Sequence, residues 1–435
     1  MGTGTPARIS CAGRFHDRVR PIAWYIDMPS VIFRKGLDLK AAVASELAQD
    51  YRSALVDELK ATDFTFRSGR LTLHLAREFG FCYGVDRAVD YAYQTRRKFP
   101  DARVYLTGEI IHNPHVNEKL RASGIRFLDD PGESVAALGA NDVVILPAFG
   151  VTVGMLAQFD RQGCTLIDTT CGSVLNVWKA VRRYAENGFT SIIHGKIHHE
   201  ETRATASQAL KSPSGPFLVV LDRPEAEEVC RYIREGGDRE AFLARFAEAA
   251  SPGFDPDQDL KRVGLANQTT MLMTESLEVG AMFRAALAER FGADAIDGHY
   301  QAFDTICSAT QDRQDAVVAL LQEHTIDLMV VVGGYNSSNT LNLARMCAEK
   351  VATYHIADDA CLVSPMEIRH RPVRAKIEVT EAGWLPSSGV LRVGLTAGAS
   401  TPDNLVGAVI LRLAAFAEAV PVSPGKQLAS ASRNS

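Results

Sequence analysis

Three cysteines, Cys82, Cys171 and Cys307, carry the clearest chemical signal in the sequence. Cys82 lies in Gly80-Phe-Cys-Tyr-Gly84, after a strand-like run over Leu71–Leu75 and before a pattern in which Val85, Ala88, Val89, Ala92 and Tyr93 mark one apolar helical face. That places its sulfur just ahead of a helix N-terminus, where unpaired N–H groups and the positive dipole end favour a thiolate. Gly80 and Gly84 on either side allow backbone or a bulky group to come close. The same unit recurs twice. A strand-like run, Cys171, and a helix with Val174, Val177, Trp178, Val181 and Ala185 form the second copy. Cys307 and a helix with Ala316, Val317, Leu320 and Leu321 form the third. Each helix leads to a β-rich run (104–111, 190–193 and 328–332) ending in a polar loop: His112 lies 30 residues after Cys82, His199 lies 28 after Cys171, and Ser337 lies 30 after Cys307. Matching cysteines beside matching loops imply that the units face one another and share a centre. Cys164, Cys230, Cys347 and Cys361 lack this placement and read as inert; Cys11 falls in the leader.

Three converging thiolates suit zinc with one open position, or an iron–sulfur cube with one iron free of protein ligands. The sequence has no CxxC pair of the kind structural zinc uses, which favours the cluster. The loops around them describe an anionic substrate. His112, His199, Thr269, Ser337, Ser338, Asn339 and Ser400 follow strands and offer imidazole, hydroxyl and amide donors, a set that suits a phosphate or diphosphate. Asn336-Ser-Ser-Asn339 also reads as a helix cap, which is compatible with that role. Glu201 is a carboxyl able to deliver a proton, and in extended backbone it projects to the same side as His199, with Glu200 turned to solvent.

The elements that must position these residues alternate strand and helix from Leu71 onward, the pattern of parallel α/β construction, with ligands expected at the carboxyl ends of strands. The fold class is α/β: three similar lobes and an N-terminal helical arm. We expect a disordered leader (1–27), the arm (28–69), lobe 1 (70–165), lobe 2 (166–300), lobe 3 (301–395), a C-terminal segment returning to the core (396–422) and a disordered tail (423–435). Within the arm, Asp38 is expected to cap one helix running to about Lys60. The chain has 435 residues, 46% of them hydrophobic, ample for a large core. The net charge of −5 argues against nucleic acid as the main partner. No apolar run approaches the roughly 20 residues that span a bilayer, so no membrane role is expected. Eight scattered cysteines in a long chain point to a reducing compartment.

Seven motifs in order resemble the 4-hydroxy-3-methylbut-2-enyl diphosphate reductase family. They are Gly-Phe-Cys-x-Gly-Val-x-Arg-Ala (80–88), Glu-Ile-Ile-His-Asn (109–113), Asp-Thr-Thr-Cys (168–171), Gly-Lys-x-x-His-Glu-Glu-Thr (195–202), Gln-Thr-Thr (268–270), Asn-Ser-Ser-Asn (336–339) and Thr-x-Gly-Ala-Ser-x-Pro-Asp (396–403). The resemblance implies a pseudo-threefold arrangement around one 4Fe–4S cluster, held by Cys82, Cys171 and Cys307 with an open apical iron. It implies that His112, His199, Ser337, Ser338, Asn339 and Ser400 hold the substrate diphosphate, that Thr269 lies near the substrate hydroxyl, and that Glu201 is the proton source. The implied reaction is reductive dehydroxylation to isopentenyl and dimethylallyl diphosphate, the last step of the methylerythritol phosphate route, fed by ferredoxin or flavodoxin. The implied location is the bacterial cytoplasm, or the plastid stroma in a eukaryote. Phe149 stands where many bacterial members carry a diphosphate-binding His, and together with the arm it resembles the cyanobacterial and plastid branch. Gly172 and Asn176 replace a usual Pro and Lys. A zinc hydrolase using the same three cysteines and a non-catalytic cluster sensor are the rival readings.

Overall fold

The computed structural model describes residues 31–211, 215–303 and 305–419. The expected leader and tail, with Cys11, lie outside the described residues. Three sheets with parallel cores form the body. The first runs Ile32–Phe33, Thr165–Asp168, Val143–Leu146, Val104–Leu106, Arg126–Phe127; the second runs Tyr300–Ala302, Val263–Asn267, Thr190–His194, Phe217–Val220. The third runs Ala352–Ile356, Leu328–Val332, Leu391–Ala397, Leu71–Leu75, with Thr65–Ser68 added antiparallel at its edge. Helices cover both faces of these sheets, so central strands such as Val-Val-Ile-Leu (143–146) and Leu-Met-Val-Val-Val (328–332) are buried throughout. A small antiparallel sheet of Leu362–Ser364, Glu367–His370 and Val379–Ala382 packs beside the third.

The three units are joined differently from the expectation. Leu71–Leu75, read as the opening strand of lobe 1, belongs to the third sheet, where it pairs with Leu391–Ala397. The helix that follows it, Tyr83–Lys98, crosses over and buries Val85, Ala88, Val89 and Ala92 with Val104, Leu106, Val143 and Ile145 of the first lobe. The pattern repeats in a cycle. Thr165–Asp168 sits in the first sheet, but the next helix, Gly172–Glu186, packs Val177, Val181 and Tyr184 against Ile193, Val219 and Ala266 of the second. Tyr300–Ala302 sits in the second sheet, and Ser308–Glu323 packs Val317 and Leu320 on Met329 and Val331 of the third. Each cluster-candidate cysteine therefore marks a hand-over from one lobe to the next. Periodicity identified the strands and helices; it carried no information on which sheet a strand would join.

The arm also differs. It is two helices, Lys40–Tyr51 and Ala54–Ala61, and its flanking strands join the first and third sheets. Asp38 does not cap: Leu39 holds the N-cap position, and the N–H groups of Leu37 and Leu39 donate to Gln94 Oε1 at 3.2 and 3.1 Å. Ser53 breaks the helix and caps the second one, its Oγ accepting from Val56 N at 3.4 Å. The C-terminal helix Asp403–Ala419 returns to the core, with Val406, Val409, Ile410 and Leu413 packed near Val56 and Leu59.

Candidate active site

The hand-over geometry decides what the cysteines do. Cys82, Cys171 and Cys307 are each the N-cap residue of their helix, with extended φ/ψ of −82/164°, −63/144° and −70/129°, and none spends its side chain on capping. All three are free thiols and half-buried, whereas Cys164, Cys230, Cys347 and Cys361 are buried in the cores. The helix termini knit together. A Cβ on Gly84 would lie 2.6 Å from Cys171 Sγ and 3.9 Å from Cys82 Sγ, so only glycine lets the first helix reach the second thiol. Ser173, the second residue of the second helix, places Oγ 3.3 Å from Cys307 Sγ. Gly80 serves a different need from the expected one: its φ of +73° turns the chain, and a Cβ there would meet Asp403 Oδ1 at 2.9 Å. Burial pushes the Cys82 thiol up, assisted by Cys171 and Cys307 nearby and opposed by Arg313. Three thiols gathered at helix N-termini, none hydrogen-bonded to a carboxylate among the described residues, fit a cationic metal group.

A cavity of about 110 Å³ lies over the thiols, and all eleven residues singled out from the sequence line it. Glu201 is the second residue of helix Glu200–Ala209 and is 3% exposed. Its Oε1 accepts from Thr269 N at 2.6 Å and its Oε2 from Thr269 Oγ1 at 3.0 Å. Burial outweighs those bonds and lifts the carboxyl to about 7. His199 is the N-cap of the same helix rather than an extended neighbour: its Nδ1 accepts from Glu201 N at 3.1 Å. Burial holds His199 neutral by lowering it to about 3, so its proton sits on Nε2. Nε2 then donates to His112 Nε2 at 3.2 Å, and His112 Nδ1 donates to Glu109 Oε2 at 2.7 Å. One tautomer satisfies the whole row. Phe149 stacks on His112, ring centroids 4.9 Å apart and planes at 11°, so it steers that imidazole and donates nothing itself.

The third lobe supplies the remaining donors. Ser337 caps helix Ser338–Ala348, its Oγ accepting from Thr340 N at 3.3 Å. Asn339 Oδ1 accepts from Ala399 N at 2.9 Å, leaving its Nδ2 buried without a hydrogen-bond partner. Ser400 Oγ donates to the His112 carbonyl at 3.2 Å. An orphaned amide and a helix N-terminus facing one cavity have the chemistry that suits an anion. Three residues escaped the sequence reading. Glu109 orients His112, Gln268 accepts from Lys196 N and Thr202 Oγ1 within the second lobe and donates to Ser338 Oγ of the third at 3.5 Å, and Lys196 donates to Ser338 Oγ. All three lie inside the quoted motifs, which was the available signal. Gly172 and Asn176 are exposed, and a Cβ on Gly172 would meet nothing within 4 Å.

The LytB protein family model matches residues 73–414. The chain belongs to the LytB family. It is 49% identical over 388 residues to 4-hydroxy-3-methylbut-2-enyl diphosphate reductase from Gloeobacter violaceus, covering 88% of this chain and 91% of that one. It is 45% identical over 394 residues to the enzyme of the same name from Thermosynechococcus vestitus, covering 90% and 96%. The solved E-1-hydroxy-2-methyl-but-2-enyl-4-diphosphate reductase from Plasmodium falciparum shares the fold, with a TM-score of 0.55 and 21% identity over 78% of this chain and 86% of that one. No described helix is long and apolar enough to cross a membrane.

His112, His199 and Glu200 also place one potential metal-ligand atom each within 4.8 Å of one another. Both imidazoles are already committed, however, His199 Nδ1 to the Glu201 N–H and the two Nε2 atoms to each other. A cation there would have to dismantle the row.

Proposed function

We propose that this chain reduces 4-hydroxy-3-methylbut-2-enyl diphosphate, with two electrons and two protons, to isopentenyl or dimethylallyl diphosphate and water. The observation that carries the reading is the single cavity in which three uncapped N-cap thiols face a buried carboxyl of raised pKa and an orphaned amide donor. Its relatives, at 45–49% identity, bear that name along nearly their whole length.

Cys82, Cys171 and Cys307 would hold the iron–sulfur group, which we assign as 4Fe–4S because three thiolates leave one iron without a protein ligand. When bound, the cluster supplies electrons and an electrophilic iron; ferredoxin or flavodoxin is the proposed source of the electrons. The protein does the rest. Asn339 Nδ2, the hydroxyls of Ser337, Ser338 and Ser400, and the N–H groups opening helix Ser338–Ala348 bind the diphosphate. The His199–His112–Glu109 row, with Phe149 behind it, lies beside the same anion, and its His199 Nε2–H, which donates to His112 Nε2 in the free protein, is the donor that would turn to the diphosphate when it binds. Thr269 holds both Glu201 oxygens, aiming the acid at the substrate hydroxyl. Glu201, able to carry a proton near neutrality, delivers it as the C–O bond breaks, so hydroxide leaves as water. Burial of these groups keeps competing water away.

Anaerobically reconstituted protein with dithionite and a viologen dye tests this directly. Consumption of the hydroxylated diphosphate with formation of the two isomers is expected; a loaded protein that leaves the substrate intact overturns the reading.

A further inference from the structure

We propose that Lys196 binds the substrate diphosphate, supplying the formal positive charge that the neutral donors of the cavity lack. The inference rests on the diphosphate reading above and adds a residue to it.

Lys196 sits on the turn after strand Thr190–His194, its backbone N–H fixed by Gln268 Oε1 at 3.1 Å. Its ammonium donates to Ser338 Oγ at 2.9 Å, the first residue of the helix whose N-terminus faces the cavity. An ammonium has three donors, and this bond uses one. Among the described residues no carboxylate oxygen lies within 4 Å of it, although twenty-two ion pairs form elsewhere. Partial burial lowers its pKa, and the charges it feels, Arg345 and Arg371 in the same cleft, push the same way. A half-buried cation with like-charged neighbours and no counter-ion is costly unless an anion completes it.

The cavity needs that charge. His199 is neutral, Phe149 cannot donate, and the carboxylates of Glu109 and Glu200 lie against His112. Arg345 and Arg371 share the wider cleft, but among the described residues Lys196 is the cation bonded to a hydroxyl of the candidate anion site. Lys196 lines a cleft of about 1380 Å³ that shares His112, Phe149, His199 and Ser338 with the cavity over the thiols. A diphosphate seated on the helix N-terminus comes within reach of both Ser338 Oγ and the two unused ammonium donors.

Calorimetric titration of anaerobically prepared holoenzyme with inorganic diphosphate, alongside steady-state kinetics, tests the assignment. Lys196→Met is expected to weaken diphosphate binding by about 10- to 100-fold and to raise KM similarly, with kcat held within about threefold. Lys196→Arg should recover most of the loss, and added salt should weaken wild-type binding more than Lys196→Met binding. A role limited to holding Ser338 predicts that Lys196→Met costs nothing further in a Ser338→Ala background. We expect it to cost about tenfold there too. Wild-type affinity in Lys196→Met, or no added loss in the double variant, overturns the role of Lys196 alone. A wild-type holoenzyme that neither binds diphosphate nor turns over overturns the functional reading with it.

Discussion

With its carboxyl at about 7, Glu201 is divided between acid and carboxylate at neutral pH, and only the acid can give up a proton. The sign follows from the direction of the shift. Because burial raises the pKa, the competent form is full below it and is lost as pH rises through about 7. Turnover limited by this proton should therefore fall on the alkaline side, and a pH profile of kcat/KM measures it. Glu201→Gln keeps an oxygen to accept from Thr269 N and turns an amide N–H toward Thr269 Oγ1, but has no proton to deliver. We expect unchanged cluster spectra and diphosphate affinity, with kcat down by about 10²- to 10⁴-fold. Glu109→Gln acts one step away: an amide in place of the carboxylate leaves His112 Nδ1 free to reverse its tautomer. A diphosphate affinity reduced by about three- to tenfold, with the Glu201 pH limb in place, is the expected calorimetric and kinetic result. None of these pairings was legible beforehand. The sequence pointed to His199 and Glu201 through extended-chain spacing, while the structure brings them together as N-cap and second residue of a helix.

Helix termini are the working parts at the next scale up. Each cluster-candidate cysteine is an N-cap whose side chain does not cap its helix; Gly84 of the first helix closes on Cys171, and Ser173 of the second on Cys307. Gly84→Ala would push a methyl into Cys171 Sγ at 2.6 Å, far inside van der Waals contact. We expect that variant to fold but to carry at most half the iron of wild type after anaerobic purification, measured against protein concentration. The arm offers a separate test. Ser53→Ala removes the cap of the second arm helix and should cost about 1 kcal/mol, read as a lowered midpoint in denaturant with iron content unchanged. The helices and strands themselves were readable because their apolar periodicity is strong. The arm's break at Ser53 and the failure of Asp38 to cap were not, since Gln94, distant in sequence, takes over the N–H groups of Leu37 and Leu39.

The molecule as a whole explains why eleven residues spread over 82–400 converge. Loops at the carboxyl ends of parallel strands face one way, and each chain crossing from lobe to lobe passes the same centre. The sequence repeat revealed that centre, because equal offsets from cysteine to polar loop survive folding. It concealed the crossings, because a strand such as Leu71–Leu75 carries no mark of the sheet it will enter. A cyclic hand-over of this kind makes the cluster a joint among all three lobes, so loss of one thiol should disturb the whole centre. Iron and acid-labile sulfide content of the anaerobically purified protein tests this account most directly. We predict about four irons and about four sulfides per chain, with a brown protein, and loss of most of both in Cys82→Ser, Cys171→Ser or Cys307→Ser. A colourless protein holding stoichiometric zinc without sulfide, or one whose cluster survives all three substitutions, would contradict it.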